Sequence, residues 1–288
     1  MAKFIQYMTQ DSLYDGPFDN KSGWPAAGTG DVIVSGNGKI IVVDGGQPND
    51  AQRFVELLEK QVDGIPEIDL WIITHPHLDH YGAIRDISQN EDLKKRISVK
   101  KFVYWFPEEF CNKDGIPNAL AGANADMQEI CKKMDAESYR PTRTEKIAID
   151  DVELEFLYVP DDCSVLNTSG GNSNLCSLIF TVKGNEKKVM ITGDAYRRSM
   201  QITAWRYGSK LKCDALQMPH HALCDAFCID FYRYVEPEIV FLPISSGAYR
   251  SMHSSIYDKL DGCIANLCVE AKAKEVYKAF EGTAEIVI

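Results

Sequence analysis

The sequence predicts an α/β fold in which two mixed β-sheets carry helices on their outer faces. Three observations lead there. Short runs rich in β-branched residues alternate with stretches whose apolar residues recur at helical spacing. Two Gly/Asn turns, Gly36-Asn37-Gly38 and Lys183-Gly184-Asn185, sit between such runs and mark hairpins. Strands then helices appear twice along the chain, an order that fits two sheets with helices outside.

The first hairpin joins Asp31-Val32-Ile33-Val34-Ser35 to Lys39-Ile40-Ile41-Val42-Val43-Asp44 and breaks at Gly45-Gly46. Residues 51–61 place Phe54, Val55, Leu57 and Leu58 at helical spacing. Leu70-Trp71-Ile72-Ile73-Thr74 reads as a buried strand, 81–88 as a helix and 102–106 as a short strand. Between 107 and 150 apolar density falls, apart from a candidate helix over 119–134. This stretch reads as an insertion over one edge of the core, near the substrate cleft. Strands follow at 152–159, 175–182 and 187–192, a helix at 197–207, strands at 215–218 and 239–244, a helix at 254–260 and a closing strand at 285–288.

The length of 288 residues fits one large domain or two small ones, and an apolar content of 45% is ordinary for a globular chain; a single domain spanning 1–288 is expected. The net charge of -11 argues against a long nucleic acid as partner. The loose basic run Lys94, Lys95, Arg96, Lys100 and Lys101 reads as a solvated surface. No stretch approaches the roughly 18 apolar residues of a membrane helix, and the first residues lack a signal peptide's apolar core. A cytoplasmic protein without membrane attachment is expected. Its nine cysteines contain no CxxC pair and are expected as thiols, with Cys224 and Cys228 spaced for one helix face.

Chemistry concentrates in His75-Pro76-His77-Leu78-Asp79-His80, just past a strand end. Three imidazoles and a carboxylate packed so tightly are the donors that zinc and similar divalent ions prefer. Asp44, Asp194 and His220 also follow apolar runs, the position where α/β folds build their sites. Taken alone, Asp44 reads equally as a turn residue and Asp194 as a helix cap.

Together these residues resemble the metallo-β-lactamase-fold hydrolases. Thr74 to Gly82 is similar to their HxHxDH signature, Asp44 to their first motif and Thr192-Gly193-Asp194 to their bridging aspartate motif. Met218-Pro219-His220-His221-Ala222 and the segment Asn172 to Ile179 resemble one branch in particular. That branch holds the hydrolase domain of bacterial DNA-uptake channel proteins and the phosphorylcholine esterases. The resemblance implies an αββα sandwich with internal pseudo-symmetry.

It also implies two divalent metal ions, zinc foremost, with manganese or iron as alternatives. His75 and His77 would hold the first, and Asp79, His80 and His221 the second. Asp194 would bridge them, and Asp44 would orient a ligand imidazole. No histidine lies between His80 and His220, so Asn174 or a neighbour in Asn172-Ser173-Asn174 is expected where relatives supply a third imidazole. Ala222 stands where the branch carries glycine; a positive φ there would strain it.

The implied reaction is hydrolysis by hydroxide formed on the cation pair, with Asp79 handling its proton. His220 would support a ligand or face substrate, His253 would contact substrate or protonate the leaving group, and Arg250 would neutralise a phosphate. A small phosphodiester or phosphorylated metabolite is the expected substrate. A carboxylic ester, lactone, thioester or β-lactam is the rival, and a metal-stabilised binding or sensor module is the reading from outside enzymology. Oligomeric state is not legible.

Overall fold

The computed structural model of the chain describes residues 1–16, 28–106, 122–160, 173–224, 226–252 and 261–288. Its first sheet is built from β1 (Lys3–Gln6), β2 (Gly30–Val34), β3 (Ile40–Asp44), β4 (Glu67–Ile73), β5 (Ser98–Val99), β6 (Lys101–Tyr104) and β7 (Glu137–Tyr139). The second contains β8 (Lys146–Ile149), β9 (Val152–Tyr158), β10 (Ile179–Lys183), β11 (Lys188–Ile191), β12 (Ala215–Gln217), β13 (Ile239–Leu242) and β14 (Glu275–Lys278). The last strand, β15 (Ala284–Val287), returns to the first sheet beside β1.

The strand orders are β15-β1-β2-β3-β4-β6-β7, with β5 on β4, and β14-β13-β12-β11-β10-β9-β8. In each sheet three antiparallel pairings lead to a central strand, from which the remaining pairings are parallel. β3 and β11 are those central strands, so the halves repeat one plan. Asp44 ends β3 and Asp194 follows β11. His75 follows β4, and His220 follows β12, at the parallel neighbours.

Strand alternation fills three layers. Ile33, Ile41, Val43, Leu70 and Ile72 meet Leu154, Phe156, Phe180, Val182 and Phe241 between the sheets. Val32, Val34, Ile40 and Val42 face the other way, under helices α1 (Ala51–Glu59), α2 (Leu78–Gln89) and α4 (Ala123–Lys133); the short α3 (Glu91–Lys94) follows α2. Helices α5 (Arg197–Tyr207), α6 (Ile229–Val235), α7 (Ser246–Met252) and α8 (Asp261–Lys272) pack on the outer face of the second sheet. Strands buried on both faces need apolar residues at every position, which is why 40–43 and 70–73 are continuous apolar runs. Each such Ile or Val contributes roughly 1.5–3 kcal/mol relative to exposure. The predicted sandwich of two mixed sheets between helical layers is found.

Several local expectations differ. Within 122–150, β7 and β8 are edge strands of the two sheets and α4 packs against the first. Half-exposed edge strands need few apolar residues, hence the low apolar density. Residues 107–121 lie outside the described residues, as do the helix expected at 254–260 and His253. Ser173–Cys176 is a 3-10 turn, so no strand starts at Leu175; Leu175 and Cys176 are apolar because they are buried. Cys228 caps α6 and Cys224 precedes it in a turn, so they share no helix face. Cys224 is disulfide-bonded, against the expected thiol. Most of the basic run is paired, Lys94 with Glu91, Arg96 with Glu59, Lys100 with Glu67 and Lys101 with Glu137. No helix among the described residues is long and apolar enough to cross a membrane.

Candidate metal centre

Loops at the ends of β3, β4, β11 and β12 converge on one buried cluster. His75 lies in the loop after β4, His77 occupies the capping position of α2, and Asp79 and His80 fall in its first turn. The helix start brings all four to one side of the loop. Gly82 lets α2 lie against the loop before α1, since a Cβ there would sit 2.4 Å from Pro48 Cδ. From the second half, Gly193 at φ +50 turns the chain after β11 so that Asp194 faces inward. A Cβ on Gly193 would meet Thr74 Oγ1 at 2.7 Å, so the two halves touch here through a glycine.

Two donor groups result, each with its ligand atoms within 4.8 Å of one another: Asp79, His80, Asp194 and His221, and His75, His77 and Asp194. Asp194 belongs to both. Its Oδ1 lies 3.1 Å from His80 Nε2, and its Oδ2 lies 3.5 Å from His75 Nε2 and 3.4 Å from His221 Nε2. Asp79 Oδ2 is 3.1 Å from His221 Nε2.

Each imidazole is anchored by its other nitrogen. His80 Nδ1 donates to Asp44 Oδ2 at 2.7 Å, and His221 Nδ1 to the Pro243 carbonyl at 3.0 Å. Thr74 Oγ1 gives its proton to Asp44 Oδ2 and accepts from His75 Nδ1 at 3.1 Å. Ser173 Oγ lies 2.6 Å from His77 Nε2. These partners set the tautomers of His75, His80 and His221, as ligand histidines require. Lone pairs are left on His75 Nε2, His80 Nε2 and His221 Nε2, each within 3.5 Å of an Asp194 oxygen, and His77 Nδ1 stands beside His75 Nε2. His75 Nε2 and His77 Nδ1 stand 2.9 Å apart, close enough to share a proton or to serve one cation. His80 Nε2, His221 Nε2 and Asp194 Oδ1 are buried without a hydrogen-bond partner. Orphaned lone pairs of this kind fit divalent cations.

The electrostatics agree. Burial pushes His75 well below the ordinary imidazole range and lowers His77. Burial also works against charge on His80 and His221, but nearby carboxylates outweigh it. Asp194, Asp44 and Asp79 hold His80 well above its usual value, and Asp194 and Asp79 push His221 up to about 10. Burial would raise Asp79 and Asp194, yet imidazoles hold both low, His80 and His221 for Asp79, and His221, His80 and His75 for Asp194. Without cations, protons on His80 and His221 neutralise the carboxylates; a cation would displace them.

The remaining expected residues fall into place unevenly. Asp44 is fully buried and holds Thr74 and His80. His220 lies at the rim, with Nε2 3.8 Å from Asp194 Oδ2 and its ring against Tyr196. Asn174 is buried in the 3-10 turn, while its neighbour Ser173 reaches His77. Arg250 is not left open for a phosphate: its guanidinium binds the Asp15 carboxylate and carbonyl. Ala222 has φ 59, the positive value that glycine would take without strain.

Sequence reasoning missed several supporting residues. Gln217 Oε1 accepts from both Thr192 N–H (3.0 Å) and Gly193 N–H (3.1 Å), shaping the turn that presents Asp194. Ser177 Oγ accepts from the Asp194 N–H, and the Thr29 N–H donates to the Asp79 carbonyl. Asp31, read only as a strand residue, is fully buried, and burial together with Asp44 holds it well above the usual carboxylate range. None of these carries a local signal.

A family model described as the metallo-beta-lactamase superfamily matches residues 31–226, well over half the chain and every donor of the centre. The chain belongs to the metallo-beta-lactamase superfamily. Solved structures of this fold cover nearly the whole chain. Zinc-bound PqqB from Methylobacterium extorquens is 11% identical with a TM-score of 0.58, covering 100% of both chains. Tm1679, a metal-dependent hydrolase of the beta-lactamase superfamily, is 13% identical with a TM-score of 0.56, covering 99% of both. The metallo-beta-lactamase fold protein YhfI from Bacillus subtilis is 14% identical with a TM-score of 0.53, covering 99% of this chain and 100% of its own. At these identities the likeness is one of fold. Among curated proteins none matches this sequence.

Proposed function

We propose that the chain is a metal-dependent hydrolase acting on a small phosphodiester or phosphorylated metabolite. One observation carries the hydrolase reading: three imidazole nitrogens, of His75, His80 and His221, converge on Asp194, and three of the inward-facing atoms are buried without hydrogen-bond partners. His75, His77 and Asp194 would hold one ion, and Asp79, His80, His221 and Asp194 the other. Bound there, such ions lower the pKa of water and polarise the oxygen of a scissile bond.

The protein's own groups do the rest. Asp79 is the ligand carboxylate nearest solvent, with 21% of its side chain exposed, and would orient an incoming water and take its proton. His220 lies at the rim beside Tyr196, and there it would meet the substrate. Asp44 and Thr74 keep His80 and His75 in the ligating tautomer.

The choice of a phosphodiester rests on the resemblance of Met218 to Ala222 and Asn172 to Ile179 to the branch of phosphorylcholine esterases and DNA-uptake hydrolase domains. The acidic net charge favours a small substrate over a long nucleic acid. The test is hydrolysis of bis(4-nitrophenyl) phosphate set against nitrophenyl acetate, nitrocefin and lactones. Turnover of the first alone supports the proposal. The reverse profile makes the chain an ester, lactone or β-lactam hydrolase. Metal uptake without turnover across the panel makes it a binding module. Asp194→Ala should abolish both metal uptake and activity, since Asp194 lies in both donor groups.

A further inference from the structure

The turn after β12 is held in a conformation its sequence resists. His220, His221 and Ala222 have φ values of 48, 54 and 59, three successive left-handed residues with no glycine among them. A Cβ is unfavourable in this region, and side-chain-bearing residues enter it singly. Such geometry persists only where the surroundings over-determine it.

The restraint comes from two helices, α6 shortly after the turn and α8 remote in sequence. Asn266 of α8 donates through Nδ2 to the carbonyls of Ala222 (2.8 Å) and Leu223 (3.1 Å). Tyr232 of α6 donates its hydroxyl to Asn266 Oδ1 at 2.9 Å, which fixes the orientation of the amide. Both side chains are buried. On the inner side, the His220 N–H donates to the Gly193 carbonyl at 3.1 Å, tying the turn to the one that carries Asp194. What the bent backbone delivers is His221 Nε2, facing Asp79 and Asp194.

We propose that Asn266, oriented by Tyr232, is a positioning residue that holds the strained His220-His221-Ala222 turn in its ligating form. The proposal rests on the reading of the centre as a cation site. Asn266 acts only through the Ala222 and Leu223 carbonyls. Without its amide the two carbonyls lose their buried donor, the turn relaxes toward ordinary backbone angles, and His221 is withdrawn. Glycine at position 222 tolerates positive φ, so a turn carrying it depends less on the clamp.

The test titrates cation-free protein with cobalt(II) and follows the visible absorption of the bound ion, which reports the donor set. Native protein should take up at least one equivalent with a nitrogen-containing ligand field. Asn266→Ala should weaken one position about 10- to 100-fold, the range for lost support of a ligand, and Tyr232→Phe should weaken the same position less. Adding Ala222→Gly to Asn266→Ala should restore about tenfold of the loss. Native-like binding by both single variants overturns the proposal. So does a loss that Ala222→Gly leaves unrepaired, because that assigns Asn266 to general packing of α8. Should Asn266→Ala fail to fold, Tyr232→Phe with and without Ala222→Gly gives the same comparison. Failure of the native protein to bind cobalt sinks the cation-site reading itself, and this proposal with it.

Discussion

Replacing Asp44 separates the two things that its carboxylate does. It accepts from the Thr74 N–H (2.8 Å), the Thr74 hydroxyl (2.8 Å) and His80 Nδ1 (2.7 Å), all in full burial. It also sits at φ 57, fixed there by Trp71 Nε1 on its carbonyl at 2.7 Å. Asp44→Ala orphans three buried donors at about 1 kcal/mol or more each. It also places a residue that dislikes the left-handed region where aspartate is tolerated, adding about 1 kcal/mol. A loss of about 4 kcal/mol is expected. Asp44→Asn keeps an acceptor for the Thr74 N–H and the tolerance of positive φ, so its stability cost is only about 1 kcal/mol. Its amide, however, faces His80 Nδ1 with a donor. The imidazole then carries its proton on Nε2, the atom that a cation needs, and affinity should drop about 10- to 100-fold. Urea unfolding with chelator present measures the first quantity, and calorimetric zinc titration the second. The tautomer argument fails if the asparagine variant binds zinc within about twofold of native, or loses as much stability as the alanine variant.

Two further outcomes are expected. His221 is held above its unfolded value of about 6.5, up to about 10. Its charge therefore stabilises the cation-free fold fully below pH ~6.5, and that contribution fades as pH rises through about 10. Cation-free protein should melt progressively lower from neutral pH to pH ~10, while zinc affinity climbs over the same range because fewer protons must leave; a flat profile in both would contradict this. Ser173→Ala removes the partner of His77 Nε2 and should weaken only the His75/His77 position, by about tenfold. A two-phase metal titration reads this, and an equal loss at both positions would count against the assignment.

The parts legible in the sequence are those with local causes. A doubly buried strand must be apolar throughout, so β3 and β4 stood out, and the donors Asp44 and His75 to His80 followed directly at their ends. Histidines and aspartates in tight spacing announce their chemistry without any knowledge of what faces them. Ala222 was likewise readable as a site of backbone strain. What escaped notice acts across the fold. Asn266 lies 44 residues from Ala222, and Gln217 lies 25 from Thr192. An amide means nothing in particular until a turn is brought against it. Apolarity at 175–178 marked burial but not conformation, since periodicity cannot separate a short strand from a compact turn. Arg250 looked available because its partner, Asp15, is at the other end of the chain.

The ligand set draws His75, His77, Asp79 and His80 from one half of the sandwich and Asp194 and His221 from the other. An ion gripped by both is therefore a clasp across the seam between the sheets. Neither half alone can close it, and a cation at 100 times its dissociation constant adds about 2.7 kcal/mol against unfolding. Chelation should thus do more than silence the chemistry. It should let the seam gape at the end where β3, β4, β11 and β12 terminate, so that amides there exchange with solvent sooner than those beneath the outer helices.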